Sequence, residues 1–444
     1  MRIPSTPAPL SAILDYLAEH PDRMDRVVGL GRATHQNKYL HWDKLRRQRP
    51  PEGMTHQEYW FALKFARANT RRALPLLDKA DRPFTFCLPD VVLEHLHHID
   101  QDAAGRIKAS EAVLNSDSRD QYLLRSLVEE AITSSQIEGA ATTRDVAKDM
   151  IRSGREPKDK GERMILNNYR AMQQIRRTSD HFFTPGRILR LHARLTQDTL
   201  EDASAAGRLR RPHERVNVVD LTSNEVLHAP PPAEQLPERL GALCDFANGK
   251  TPDAFVHPVV RAIVLHFWLA YDHPFVDGNG RCARALFYWS MLRQGYWLTE
   301  FLAISPLIRR AYALYERAFL YTETDENDLT YFLVYHLELV RQSVKELHAY
   351  LKRKMEAVRE AERLLRDSAG FNARQLALLT HALRHGEARY TIRSHQRSHN
   401  VVYQTARTDL MDLERKGLLT RRVVGKTFTF SPVPDLARAM GKVR

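Results

Sequence analysis

Apolar residues at Val260, Ile263, Val264, Phe267, Ala270 and Tyr271 recur at the 3.6-residue period of a helix, and Ala283, Leu286, Phe287, Ser290 and Met291 resume that period after a short break. The break is therefore a turn between two helices. Further up the chain, Leu124, Leu127, Val128, Ala131 and Ile132 predict a helix that begins near Asp120 and stops at Gly139. Other helical stretches are Thr55 to Ala73 with Thr55 as N-cap, Pro89 to Leu114, Arg163 to Arg177, Thr184 to Gln197 with Pro185 in the first turn, Ile308 to Tyr321, and Leu329 to Leu365. The first 85 residues hold scattered aromatics and no evident chemistry, and they read as a helical extension.

Only two places suggest strands. Val216 to Val219 and Val226 to His228 are short β-prone runs around a polar turn, the pattern of a hairpin. Near the end, Asn372 to Arg384, Thr391 to His399 and Val401 to Gly417 read as helices, followed by Leu418 to Val423 and Lys426 to Phe430 about Gly425. Three helices and a two-stranded wing suggest a winged helix-turn-helix over 371–444. The fold expected is mainly α, divided as 1–85, 86–365 and 371–444.

Charge adds one point. The chain of 444 residues carries a formal net charge of +13, and from Phe371 onward there are fourteen Lys and Arg against five Asp and Glu, so nine of the thirteen net charges lie there. That suits a polyanionic partner such as DNA. In the third helix Tyr403, Gln404, Arg407 and Thr408 would face bases, with Arg421, Arg422 and Lys426 on phosphates. Winged helices also serve as protein-binding or dimerisation modules, so both uses stay open, as does a homo-oligomer. Three widely spaced cysteines, Cys87, Cys244 and Cys282, have no metal-ligand pattern and fit a reducing compartment. His95, His97 and His98 lack a carboxylate or cysteine at ligand spacing. Met1 to Leu17 lacks the apolar core of a signal peptide and no run reaches a membrane span, so the expected location is the cytoplasm.

The densest chemistry falls in the turn between the two helices, His273-Pro274-Phe275-Val276-Asp277-Gly278-Asn279-Gly280-Arg281-Cys282-Ala283-Arg284. A helix start offers unpaired N–H groups and partial positive charge, and Gly278, Asn279 and Gly280 let that backbone approach an anion. Arg281 and Arg284 share a face and can fork onto phosphate oxygens. Asp277 is a hard oxygen ligand suited to Mg2+, and His273 is a base near neutral pH. Phe275 would pin the loop into the core.

This run resembles the signature of Fic-domain proteins, His-Pro-Phe-x-Asp/Glu-Gly-Asn-Gly-Arg-x-x-Arg, and matches it at every specified position. The resemblance implies a helical core with a small β-hairpin flap, and transfer of AMP from ATP to a protein Ser, Thr or Tyr hydroxyl. It implies His273 as the base, Asp277 as the Mg2+ ligand, Asn279 and Arg281 on the α- and β-phosphates, and Arg284 on the γ-phosphate. Tyr312 would meet the adenine, and the hairpin would take the target as an added strand. Ser134-x-x-x-Glu138-Gly139 is similar to the inhibitory motif of the same family, which implies that Glu138 pairs with Arg284 and takes the place of the γ-phosphate. The same carboxylate could activate water to remove AMP. Relatives in that family also transfer UMP, phosphocholine or phosphate. A different class of reading is a DNA-binding regulator that uses the Fic core as a nucleotide sensor.

Overall fold

The computed structural model describes residues 2–104, 116–214, 216–220, 223–367, 370–386, 388–424 and 427–440. Helices dominate, with three small antiparallel sheets among the described residues. The chain divides into two compact units, one of residues 1–106 with 126–344, the other of 107–125 with 345–444.

The first unit is built around the helix Pro258–Asp272, whose Val259, Ile263, Phe267 and Trp268 are all buried. An apolar face all round marks a central helix rather than a surface one. Asn279–Arg293 packs against it and is nearly as buried, with Ala283, Leu286, Phe287 and Met291 in the core. Helices Lys160–Arg177 and Pro185–Leu195 wall this pair, and Thr184 caps the second of them by accepting the Arg187 N–H. The helix expected to begin near Asp120 runs from Ser116 to Ile137. Gly139 follows it with φ +92, a conformation that favours glycine.

The hairpin expected from the two β-prone runs pairs Val218–Val219 with Val226–His228, its first strand two residues shorter than the run. It is a two-stranded sheet, so each strand keeps an open edge.

Residues 1–85 belong to the same compact unit as the core. Lys64 Nζ meets Asp325 at 2.8 Å, and Arg67, fully buried, donates to the Tyr331 hydroxyl at 3.0 Å. The helix capped by Thr55 ends at Ala68, not Ala73, because Arg72–Leu77 pairs with Pro83–Phe86. That hairpin buries Leu74, Leu76, Phe84 and Phe86, and Asp78 closes its turn by accepting the N–H groups of Ala80 and Arg82.

The second unit contains the helices Ala373–Arg384, Ile392–His399 and Tyr403–Arg415 and a three-stranded sheet. Its strand order is Tyr390–Thr391, Thr427–Pro432, Leu419–Val424, so a third short strand joins the two expected from the sequence. Leu379, Ala406, Leu410, Leu413, Leu418 and Phe430 form its core. Asp409 ties the three helices together, accepting from Asn372 Nδ2 at 2.7 Å and Arg374 Nε at 2.8 Å, and meeting His395 Nε2 at 3.2 Å. Gly425 and Lys426 lie outside the described residues.

Candidate active site

The turn between the two central helices is held by residues from four other segments. His273 ends the first helix in the left-handed region, φ 45 and ψ 57, while its N–H still donates to the Leu269 carbonyl. A residue with a Cβ in that conformation is strained and needs support. Arg210 supplies it: its backbone N–H donates to the Pro274 carbonyl at 2.9 Å, its Nε donates to the His273 carbonyl at 2.9 Å, and it also donates to Pro231 at the exit of the hairpin. From the hairpin, His228 reaches the Tyr271 carbonyl at 2.7 Å and the Glu323 carboxylate at 2.8 Å.

Phe275 is fully buried and stacks on His192, with ring centroids 3.8 Å apart. His192 receives the Gly207 N–H at Nδ1, 3.0 Å, so its other nitrogen carries the proton and donates to the Asp277 carbonyl at 2.9 Å. Burial lowers its pKa to about 4, which keeps that neutral tautomer. Asn279 spends its amide on Phe275, accepting its N–H at 2.9 Å and donating to its carbonyl at 2.8 Å. Asn279 therefore latches the loop through its side chain.

His273 is placed for base chemistry. Its Nδ1–H donates to the Ala270 carbonyl at 3.1 Å, which leaves Nε2 as the acceptor. Burial pushes its pKa down to about 4, so the imidazole is neutral at physiological pH.

Gly278 starts the next helix with φ +84, and a Cβ there would stand 2.8 Å from Thr196 Cγ2. At Gly280 a Cβ would meet a Glu138 carboxylate oxygen, so this glycine is what lets Glu138 approach the backbone. Glu138 Oε1 accepts from Arg284 at 2.8 Å. Arg284 is buried and also donates from Nε to Ser134 Oγ at 2.9 Å and from a terminal nitrogen to the Ser134 carbonyl at 3.0 Å. Ser134, Glu138, Gly280 and Arg284 thus meet as one cluster, with a carboxylate seated at the helix start.

Arg281 is also buried. One terminal nitrogen donates to the Leu195 carbonyl at 3.1 Å, the other lies 3.4 Å from both Asp277 oxygens, and Nε has no hydrogen-bond partner among the described residues. The Asp277 side chain is 45% exposed, and its Oδ1 accepts the Gly278 N–H at 2.5 Å. No group of three or more His, Cys, Asp or Glu side chains that could hold a metal occurs among the described residues. A lone accessible carboxylate beside an anion nest fits Mg2+, which keeps most of its waters and takes its remaining ligands from phosphates.

Tyr312 stands at the start of the helix Tyr312–Thr324 with a 41% exposed ring, 5.9 Å between centroids from Tyr315. Burial raises its phenol to about 12, with the charges of Glu316, Glu138 and Arg284 also acting on it. It is thus at the rim of this cluster. No local sequence pattern marks Arg210, His192 or His228 as part of the site.

Residues 182–291 match the family model described as the Fic/DOC family. Among curated proteins, the chain is 41% identical over 69 residues to a protein adenylyltransferase Fic of Nematostella vectensis, covering 16% of each. It is 29% identical over 214 residues to a protein adenylyltransferase Fic of Aedes aegypti, 45% of this chain and 40% of that one. With the fic-1 protein of Caenorhabditis elegans it shares 34% over 109 residues, 24% of this chain and 19% of the other. The matches span less than half of each of these relatives. A Fic family protein from Desulfovibrio desulfuricans G20 has a similar fold, with a TM-score of 0.51 at 18% identity, over 78% of this chain and 96% of that one.

Proposed function

We propose that this chain, which carries a Fic domain over residues 182–291, is a protein adenylyltransferase that moves AMP from ATP to a Ser, Thr or Tyr hydroxyl of a protein, itself included. The observation that carries this reading is the Glu138 carboxylate seated against Gly280 and bonded to Arg284, an anion already in the nest a triphosphate would use.

In the forward reaction His273 Nε2 takes the proton of the target hydroxyl as its oxygen attacks the α-phosphorus. The bond from that phosphorus to the bridging oxygen breaks, and pyrophosphate leaves. Arg281, Arg284 and the backbone N–H groups at the helix start hold the charge that gathers on the phosphates. Asp277 would hold Mg2+, which when bound neutralises phosphate charge. The open edges of the 218–228 hairpin would receive an extended target segment. Glu138 restrains this reaction, and the same carboxylate beside an AMP-bearing side chain would activate water for its removal.

Incubating the Glu138→Gly protein with ATP labelled at the α- or the γ-phosphate tests the reading. Label enters protein only from the α-position; label from the γ-position would make the chain a kinase and overturn it.

A second function is proposed for residues 371–444, a winged helix-turn-helix that binds DNA. Tyr403, Gln404, Arg407 and Thr408 share one exposed face of the helix Tyr403–Arg415, and Arg421 and Arg422 are exposed on the neighbouring strand. A gel shift with genomic fragments should give binding that persists against competitor DNA and weakens as salt rises. Binding equal for all fragments would reduce this to a basic patch. No helix among the described residues is long and apolar enough to cross a membrane. Three free, buried cysteines suit a reducing compartment, and cytoplasmic action is part of the proposal.

A further inference from the structure

Three contacts join the Ser116–Ile137 helix and the turn after it to the helix Asn279–Arg293. Glu138 lies against Gly280, Ser134 bonds Arg284, and Glu130 bonds Tyr288. Each step of four residues up one segment matches a step of four down the other. Four residues are about one helical turn, so the contacts form successive rungs between antiparallel partners.

The first two rungs belong to the site already described. The third stands about 6 Å beyond the second and about 12 Å from the first, at 1.5 Å per residue, and contains no part of the nest. Glu130 is buried, 2% exposed, and its carboxylate accepts the Ser305 N–H at 2.9 Å and the Tyr288 hydroxyl at 2.9 Å, with a further bond to the Ser305 hydroxyl. Tyr288 is held in turn by the Ile304 N–H at 2.9 Å. Burial alone pushes the Glu130 carboxyl up, and the Ser305 and Tyr288 bonds pull against that. An apolar side chain could pack at this position in several registers. A buried carboxylate is satisfied only where its donors converge.

We propose that Glu130 is a positioning residue for the restraint: gripping Ser305 and Tyr288, it sets the register of its helix, and that register seats Glu138 on Gly280. The inference rests on the adenylyltransferase reading. Without the rung the helix end can shift, each residue of slip moving Glu138 by about 1.5 Å, and the nest opens to a triphosphate.

Label transfer from α-labelled ATP is compared in the full chain and in Glu130→Ala, Tyr288→Phe, Glu138→Gly and Glu130→Ala/Glu138→Gly. Glu130→Ala raises transfer about tenfold, equivalent to about 1.4 kcal/mol. Tyr288→Phe, which keeps the ring and removes one donor, raises it less. The double variant shows no gain beyond that of Glu138→Gly, because the carboxylate that the register would seat on Gly280 is already gone. A residue that merely supports the fold would lower transfer, not raise it. If Glu130→Ala does not fold, the gain in Tyr288→Phe decides the question. Glu138→Gly gaining transfer while both register variants stay at the parent level would overturn the proposal and leave the adenylyltransferase reading standing. No transfer from Glu138→Gly would overturn both.

Discussion

Replacing His273 with Ala lowers transfer by about a thousandfold, within the range of 10²–10⁴ for loss of a general base, while the affinity for ATP changes by less than about twofold. The asymmetry follows from where the groups sit. His273 holds its ring by Nδ1 on the Ala270 carbonyl, whereas the proposed phosphate site is the helix start with Arg281 and Arg284, which His273 does not hold in place. The pH dependence gives a second check on the same residue. Burial pushes the His273 pKa down to about 4, so the base form persists as pH falls from neutrality and is lost only as pH passes through about 4. kcat/KM, which reports the free enzyme, should therefore show no acid limb near the ordinary histidine value of about 6.5. Titration calorimetry with ATP and a pH–rate series on the Glu138→Gly background check both parts. Half-loss of rate near pH 6.5 would mean that the ring is far more solvated than the structure has it.

Glu138→Gly is the second large effect, and it runs the other way. A hydrogen bond to a charged partner contributes about 1.5–3 kcal/mol, which in competition with a triphosphate is about a 13- to 160-fold gain in transfer. Arg284 does not collapse when its carboxylate partner goes, because the Ser134 hydroxyl and carbonyl still hold it. It remains aimed at the space Glu138 left. Glu138→Gln separates charge from bulk: it keeps the side chain's size and removes its negative charge. It should give an intermediate gain, measured by initial rates of self-modification at a fixed ATP concentration.

The active-site turn was legible in the sequence because its parts are contiguous and its geometry is local. A helix stop, glycines and a helix start within twelve residues leave few backbone paths, and the apolar period on either side places both helices. The link from Glu138 to Arg284 spans 146 residues and was legible only through a short motif. What supports the turn left no such trace. Arg210 lies 63 residues before the His273 carbonyl it holds, and His192 lies 85 before that of Asp277. Each is one polar residue in an ordinary stretch, and only packing gives it a task. The left-handed backbone of His273 is equally silent, since glycine announces such a conformation and histidine does not. The Arg72–Leu77 hairpin shows a different failure. Leu74 and Leu76 alternate as a half-buried strand should, yet Pro75 and the preceding helical period hid a signal only a few residues long. Tyr390–Thr391 is two residues long, too short to carry any period, and exists because Phe430 and Thr429 offer it a partner.

The proposed adenylyl transfer requires a helix start that grips a triphosphate once Glu138 withdraws, beside an imidazole that takes the proton of the attacking hydroxyl. The intact mass of the Glu138→Gly protein after incubation with Mg2+ and ATP, next to that of Glu138→Gly/His273→Ala, tests this most directly. The first protein gains the mass of AMP and the second gains nothing. A gain of phosphate alone, or an AMP adduct that forms as fast without His273, would contradict it.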